Sequence, residues 1–125
     1  MKPNLLKRVP RISFAILLAI TLASFTYMNL ESKTVTGEIL DMKCFMTSGD
    51  HGDSHKDCAQ MCLKGGSPMG ILGEDSKVYL LIQGKDAAPY EEARKHGGEM
   101  MTVTGTLSEK GGVQAIIVAD AKPKK

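Results

Sequence analysis

The side chains able to do chemistry are concentrated in one stretch, Asp41–Pro68 (DMKCFMTSGDHGDSHKDCAQMCLKGGSP). It holds all three cysteines (Cys44, Cys58, Cys62), two of the three histidines (His51, His55) and Met42, Met46 and Met61, with Met69 just past its end. Thiolate sulfur and imidazole nitrogen together suit a transition metal. Ser54 reads as a helix N-cap and Asp57 as its capping-box partner, so a helix is expected from about His55 to Lys64, stopped by Gly65. At about 100° per residue, His55, Cys58 and Cys62 then project within roughly 60° of arc. The 13 residues between Cys44 and Cys58 let Cys44 fold back over that face. The expected ligand set is Cys44, His55, Cys58 and Cys62. Zn2+ is its simplest occupant, because four protein ligands leave no open position for catalysis. The methionines nudge toward Cu+, although methionine also fills irregular cores. Export disfavours an iron–sulfur cluster.

The same sulfurs admit other chemistry. A disulfide from Cys44 to Cys58 or Cys62 would staple the loop to the helix and contribute about 3 kcal/mol. Cys58 to Cys62 is disfavoured, because cysteines one helical turn apart point along the axis. In a thiol redox module, Cys58 would attack, near the helix N-terminus and beside His55, and Cys62 or Cys44 would resolve it. The C-x-x-x-C spacing is not that of thioredoxin-like enzymes. Asp50, Asp53 and Asp57 are placed to accept the second N–H of a ligating imidazole. His51 lies in a loop of Gly and Asp, and His96 reads as a cap on the C-terminus of a later helix. No phosphate loop, serine nucleophile motif or paired-carboxylate cleft is present, so no catalytic residue is assigned outside the redox alternative.

The elements that must position this stretch read as a small β scaffold. After a polar joint at 31–34, Val35–Leu40 is a strand with a glycine kink at Gly37. Met69–Leu72 is a short apolar piece. Lys77–Gln83 (KVYLLIQ) is a β-favouring run expected to be buried on both faces. Asp86–His96 reads as a short helix with Pro89 in its first turn, stopped by Gly97-Gly98. Glu99–Leu107 alternates, with Met101, Val103 and Leu107 on one face, and Val113–Ala119 is the last strand. The triplet Val35-Thr36-Gly37 recurs as Val103-Thr104-Gly105. The expected class is mainly β (α+β). It is a small OB-like β-barrel of about five strands, with a short Cys/His-bearing helix and a second short helix.

Residues 1–30 carry Lys2, Lys7, Arg8 and Arg11, no acidic residue, and an apolar run from Ile12 to Met28 broken only by Ser and Thr. This reads as an export signal or an uncut membrane anchor, with the body outside the cytoplasmic membrane, in the periplasm. A cut leader would release the body as an exported soluble protein. The expected organisation is a leader over 1–30, the barrel with its Cys/His site over 31–121, and a loose basic tail over 122–125. The whole chain has a net charge of +2, but the four basic residues of the leader leave 12 basic against 14 acidic beyond it. A mildly acidic body argues against nucleic acid as a partner. The expected contacts are the membrane, through the leader, and an exported protein, met either in thiol redox work or, in a further alternative, by the barrel face of a plain OB-like protein-interaction module that leaves the cysteines dispensable.

On these residues the chain resembles a set of small bacterial exported or membrane-anchored proteins of uncharacterised function. Their pattern is V-x-G-x-[IVL]-x-D-x-x-C, a variable loop, H-x-x-C-A-x-x-C, G-x-P and a V-Y strand. It is matched by Val35 to Cys44, His55 to Cys62, Gly66-Ser67-Pro68 and Val78-Tyr79. The resemblance implies an OB-like barrel and singles out His55 rather than His51. It implies no reaction.

Overall fold

The structure, a computed structural model, describes residues 31–125. The leader expected over 1–30 lies outside the described residues. Among the described residues no helix is long and apolar enough to cross a membrane.

Five strands close into a barrel: β1 (Ser32–Asp41), β2 (Met69–Gly73), β3 (Val78–Gln83), β4 (Met100–Lys110) and β5 (Val113–Pro123). Their order around the barrel is β1-β2-β3-β5-β4, and β4 returns to β1. All neighbours are antiparallel except β3 and β5, which run parallel. Helix α1 (Met42–Ser48), a 3-10 turn (Asp53–His55) and helix α2 (Lys56–Lys64) fill the β1–β2 connection. Helix α3 (Ala88–Arg94) joins β3 to β4. The core is the inward face of every strand, including Val35, Ile39, Ile71, Tyr79, Val103 and Ile116. Leu63 of α2 and Ala93 of α3 are buried in the same cluster.

The two V-T-G triplets are antiparallel neighbours. Val35 faces Val103, and the threonines form a cross-strand ladder, with Thr34 to Thr104 and Thr36 to Thr102 each at 2.9 Å between hydroxyls. Both glycines mark a close approach of strands. A Cβ on Gly37 would lie 2.1 Å from the Leu72 carbonyl oxygen, and one on Gly105 would lie 2.1 Å from that of Ile117. Gly105 also borders the register shift in the β4–β5 ladder, as expected where a barrel strand must bend.

Several expectations need correction. The polar joint at 31–34 is almost wholly strand, since β1 begins at Ser32. Residues 42–48, expected as loop, form α1, so there are three short helices rather than two. The Lys77–Gln83 run is buried on one face only: Tyr79 and Leu81 point inward, while Ile82 is 45% exposed. The basic tail is not loose at its start. β5 runs through Pro123, and Lys124 donates its backbone N–H to the Met100 carbonyl at 3.0 Å.

Candidate metal centre

The site is built on the two ends of the β1–β2 connection. Asp41 and Met69 are the last pair of that ladder. Asp41 is also the N-cap of α1, accepting from the backbone N–H of Lys43 (3.1 Å) and of Cys44 (3.4 Å). The Ser67 hydroxyl donates to the same carboxylate from the far end of the connection. The Met42 N–H donates to the Pro68 carbonyl at 2.9 Å. Asp41 is thus 2% exposed yet fully partnered. Gly49 ends α1 in the left-handed conformation (φ 75°), with its N–H on the Phe45 carbonyl.

Helix α2 does not start as expected. Ser54 lies inside the 3-10 turn, and the residue capping α2 is His55, with no side-chain cap bond. The loop before it is held instead by Glu38 of β1, whose carboxylate accepts from the Gly52 N–H at 2.5 Å and contacts His51 Nδ1 at 3.3 Å. The helix is seated by buried Ala59 and Leu63. Its last turn is fixed by Arg94, which donates Nη1 to the Leu63 carbonyl at 2.8 Å. Helix α3 ends at Arg94, capped by Lys95, short of the expected His96, so the Gly97-Gly98 pair is not its stop. A Cβ on Gly97 would meet the backbone of Ala59 and Gln60 at 3.0 Å, and one on Gly98 would meet Lys56 Cα at 2.7 Å. The two glycines are the floor on which α2 rests.

This framework brings the expected ligands together in two overlapping sets. Donor atoms of Cys44, His55 and Cys58 lie within 4.8 Å of one another, and so do those of Asp41, Cys44 and Cys62. Cys44 is common to both. These groups are close enough to hold a metal ion. His55 Nε2 is buried and has no hydrogen-bond partner among the described residues. An unpaired buried imidazole nitrogen is costly unless it meets an acceptor, a donor or a metal. His51 is turned to Glu38 and the edge of Phe45, with ring centroids 5.9 Å apart. His96 does not cap α3 with its ring; it pairs with Glu99 and Glu92. Asp50, Asp53 and Asp57 are exposed, and none accepts a hydrogen bond from His55.

The carboxylate that matters is Asp41, which the ligand search on sequence passed over. Its signal was the D-x-x-C spacing, which sets an N-cap aspartate one turn from a cysteine. The Cys44 thiol donates to Asp41, and this bond, with burial and the nearby charge, pushes the Cys44 thiol up to about 12. Burial raises the Asp41 carboxyl, but the hydrogen bonds from Cys44, Ser67 and two backbone N–H groups outweigh it and hold it below the usual range. Burial and the Asp41 charge also raise the Cys62 thiol. Both shifts favour the protonated thiol. All three cysteines are free of disulfides, and Cys58 is the exposed one.

A cleft of about 830 Å³ opens beside Cys62, lined by Met42, Met46, Pro68 and Leu80 among others. The four neighbouring methionines divide. Met69 is core and Met42 lies over Gly70, whereas Met46 and Met61 are 71% and 74% exposed. Comparison of the chain with protein-family models, curated proteins and solved structures gave no match.

Proposed function

We propose that the domain is an OB-type barrel, carried on the outer side of a cytoplasmic membrane, that binds one transition-metal ion through Cys44, His55, Cys58 and Cys62. The observation that carries this reading is the convergence of Cys44, His55 and Cys58 within 4.8 Å around a buried His55 Nε2 that has no other partner among the described residues. In a tetrahedral zinc site with Zn–S near 2.3 Å, neighbouring ligand atoms stand about 3.8 Å apart. Donor atoms within 4.8 Å of one another need to close by at most about 1 Å to reach that spacing. Cys62 is the fourth ligand, since it shares the neighbourhood of Cys44. Asp41 is committed to the α1 cap and Ser67, so its role is to aim Cys44 from the outer shell. Zn2+ fits a closed four-ligand site, and Cu+ is the softer alternative, favoured by the thioethers along the Cys62 cleft. The OB reading is supported by the strand order, the parallel β3–β5 closure and a site carried on the β1–β2 connection.

The test is metal content by plasma mass spectrometry and free-thiol titration on the full chain, purified from membranes without chelator. One equivalent of metal is expected, with thiols that react only after chelation. Cys58→Ala is expected to remove the metal and lower the thermal midpoint; unchanged metal content refutes the assignment. The exposure of Cys58 favours one second reading, a thiol redox module in which Cys58 attacks and Cys62 resolves, with an exported protein as partner. Thiols that respond to reductant and not to chelator would establish it.

A further inference from the structure

Cys62 belongs to two places at once. Its sulfur stands within 4.8 Å of donor atoms of Asp41 and Cys44, and it also lines the cleft of about 830 Å³. None of the other three expected ligands lines that cleft. Cys62 is therefore the point at which the ligand cluster meets an open space.

Helix α1 supplies two more sulfurs to the same cleft. Met42 and Met46 are four residues apart on that helix, so they share a face, and both line the cleft. Methionine ordinarily fills a core, as Met69 and Met101 do here. Helix α1 buries no residue, and Met46 is 71% exposed, so neither of its methionines has that work. Met42 Sδ occupies space that Gly70 leaves open, since a Cβ on Gly70 would collide with that sulfur. No carboxylate lines the cleft among the described residues, and its one charged side chain is Lys43. Nothing there suits a hard, hydrated divalent cation. Two thioethers and a thiol are the donors that select Cu+.

We propose that this cleft is an entry site for Cu+, in which the thioethers of Met42 and Met46 take the incoming ion and Cys62 passes it to Cys44, His55 and Cys58. The proposal rests on the reading of those residues as a metal site and chooses the softer ion for it. The passage is ligand exchange, and copper stays Cu+ throughout. The Cys62 thiol releases its proton to water as Sγ binds the ion. The two Sδ–Cu+ bonds break as bonds from Cys44 Sγ and Cys58 Sγ form, each thiol again releasing its proton to water. His55 Nε2 contributes its lone pair. Neutral thioethers hold the ion less firmly than thiolates, so the exchange runs inward. The cleft far exceeds the roughly 30 Å³ that one water occupies, which leaves room for the ligands the ion arrives with.

The test follows loading of the metal-free full chain in detergent micelles, from a coloured Cu+–bicinchoninate complex and separately from Zn2+. Met42→Leu/Met46→Leu keeps close to the native side-chain volumes. It should take up Cu+ on the order of five- to tenfold more slowly than the unaltered chain, reach the same final copper content, and load Zn2+ at an unchanged rate. Met46→Leu alone, at an exposed position, should slow Cu+ in part, and Met61→Leu, outside the cleft, not at all. A double variant that loads Cu+ within about twofold of the unaltered rate overturns the proposal, and so does one that slows Zn2+ equally. A chain that binds Zn2+ but no Cu+ overturns it too, while leaving the metal site in place. A chain that binds neither removes the metal site, and the entry site with it.

Discussion

Asp41→Asn separates the aiming role of this carboxylate from its role as a cap. Asn caps helices about as well as Asp, so α1 keeps its first turn. What is lost is a charged acceptor facing the Cys44 thiol and the Ser67 hydroxyl. Hydrogen bonds to charged groups contribute about 1.5–3 kcal/mol each, and part of that is recovered by the amide oxygen. A net loss of about 1–3 kcal/mol lowers the melting temperature of a domain this size by roughly 4–24 °C. The thiol reports the electrostatic part separately. At pH 8 a thiol at about 12 is ionised to one part in about ten thousand, and one near its ordinary 9.0 to about one in ten. That is at most about a thousandfold in thiolate, since burial keeps part of the rise in the variant, offset about twentyfold by the lower nucleophilicity of the more acidic thiol. The assay is the rate of reaction with an aromatic disulfide reagent, on metal-free Cys58→Ser/Cys62→Ser chain with and without Asp41→Asn. Acceleration on the order of 10- to 50-fold is expected. A change of less than about twofold would show that Asp41 does not hold the Cys44 proton, and the account of the site's electrostatics would fall.

Three further outcomes follow from the same geometry. Gly98→Ala places a side chain at φ 74° against Lys56 Cα; it should cost about 1–3 kcal/mol in denaturant unfolding and weaken metal retention by tilting α2. The hydrogen bond to Glu99 leads the causes that raise His96 above its ordinary 6.5. That pair therefore contributes fully below pH 6.5 and is lost as pH rises through the raised value, so His96→Gln should flatten a fall of about 1 kcal/mol or less in stability toward pH 8. Helix α1 buries no residue, so its amides should exchange quickly in metal-free protein, and metal should slow them at least tenfold by linking Cys44 to α2; equal exchange rates would rule out that link.

What was legible in the sequence had a strong local cause. The V-T-G triplets and the Pro89 helix each follow from backbone constraints that few residues satisfy. Helix α1 was missed for the opposite reason: with nothing buried, it shows no apolar stripe to read. The Ser54 cap failed because its local pattern competed with a tertiary grip, Glu38 on the Gly52 N–H, which tightens the chain into a 3-10 turn first. The β3 run looked doubly buried because composition cannot tell a covered outer face from an exposed one. His55 and Cys58 come together as their spacing implies, although His55 stands in the 3-10 turn before α2, whereas Cys62 groups with Asp41 and Cys44. Asp41 was half readable: the D-x-x-C spacing marks its cap and its place beside Cys44, but its tie to Ser67, 26 residues on, has no local signal.

Asp41 also explains why a small barrel can carry such a site. One residue ends the β1–β2 ladder, caps α1, ties Ser67 across the connection and holds the Cys44 proton. Barrel closure therefore carries Cys44, through Asp41 and α1, to within 4.8 Å of His55 and Cys58, close enough for a metal ion. The same bond opposes loading, because the thiol must give up a proton that Asp41 holds. Preorganised geometry and a retained proton act in opposite directions on affinity. Binding through Cys44 should therefore weaken as pH falls and strengthen as it rises, whereas a site held by carboxylates alone would be insensitive to pH near neutrality.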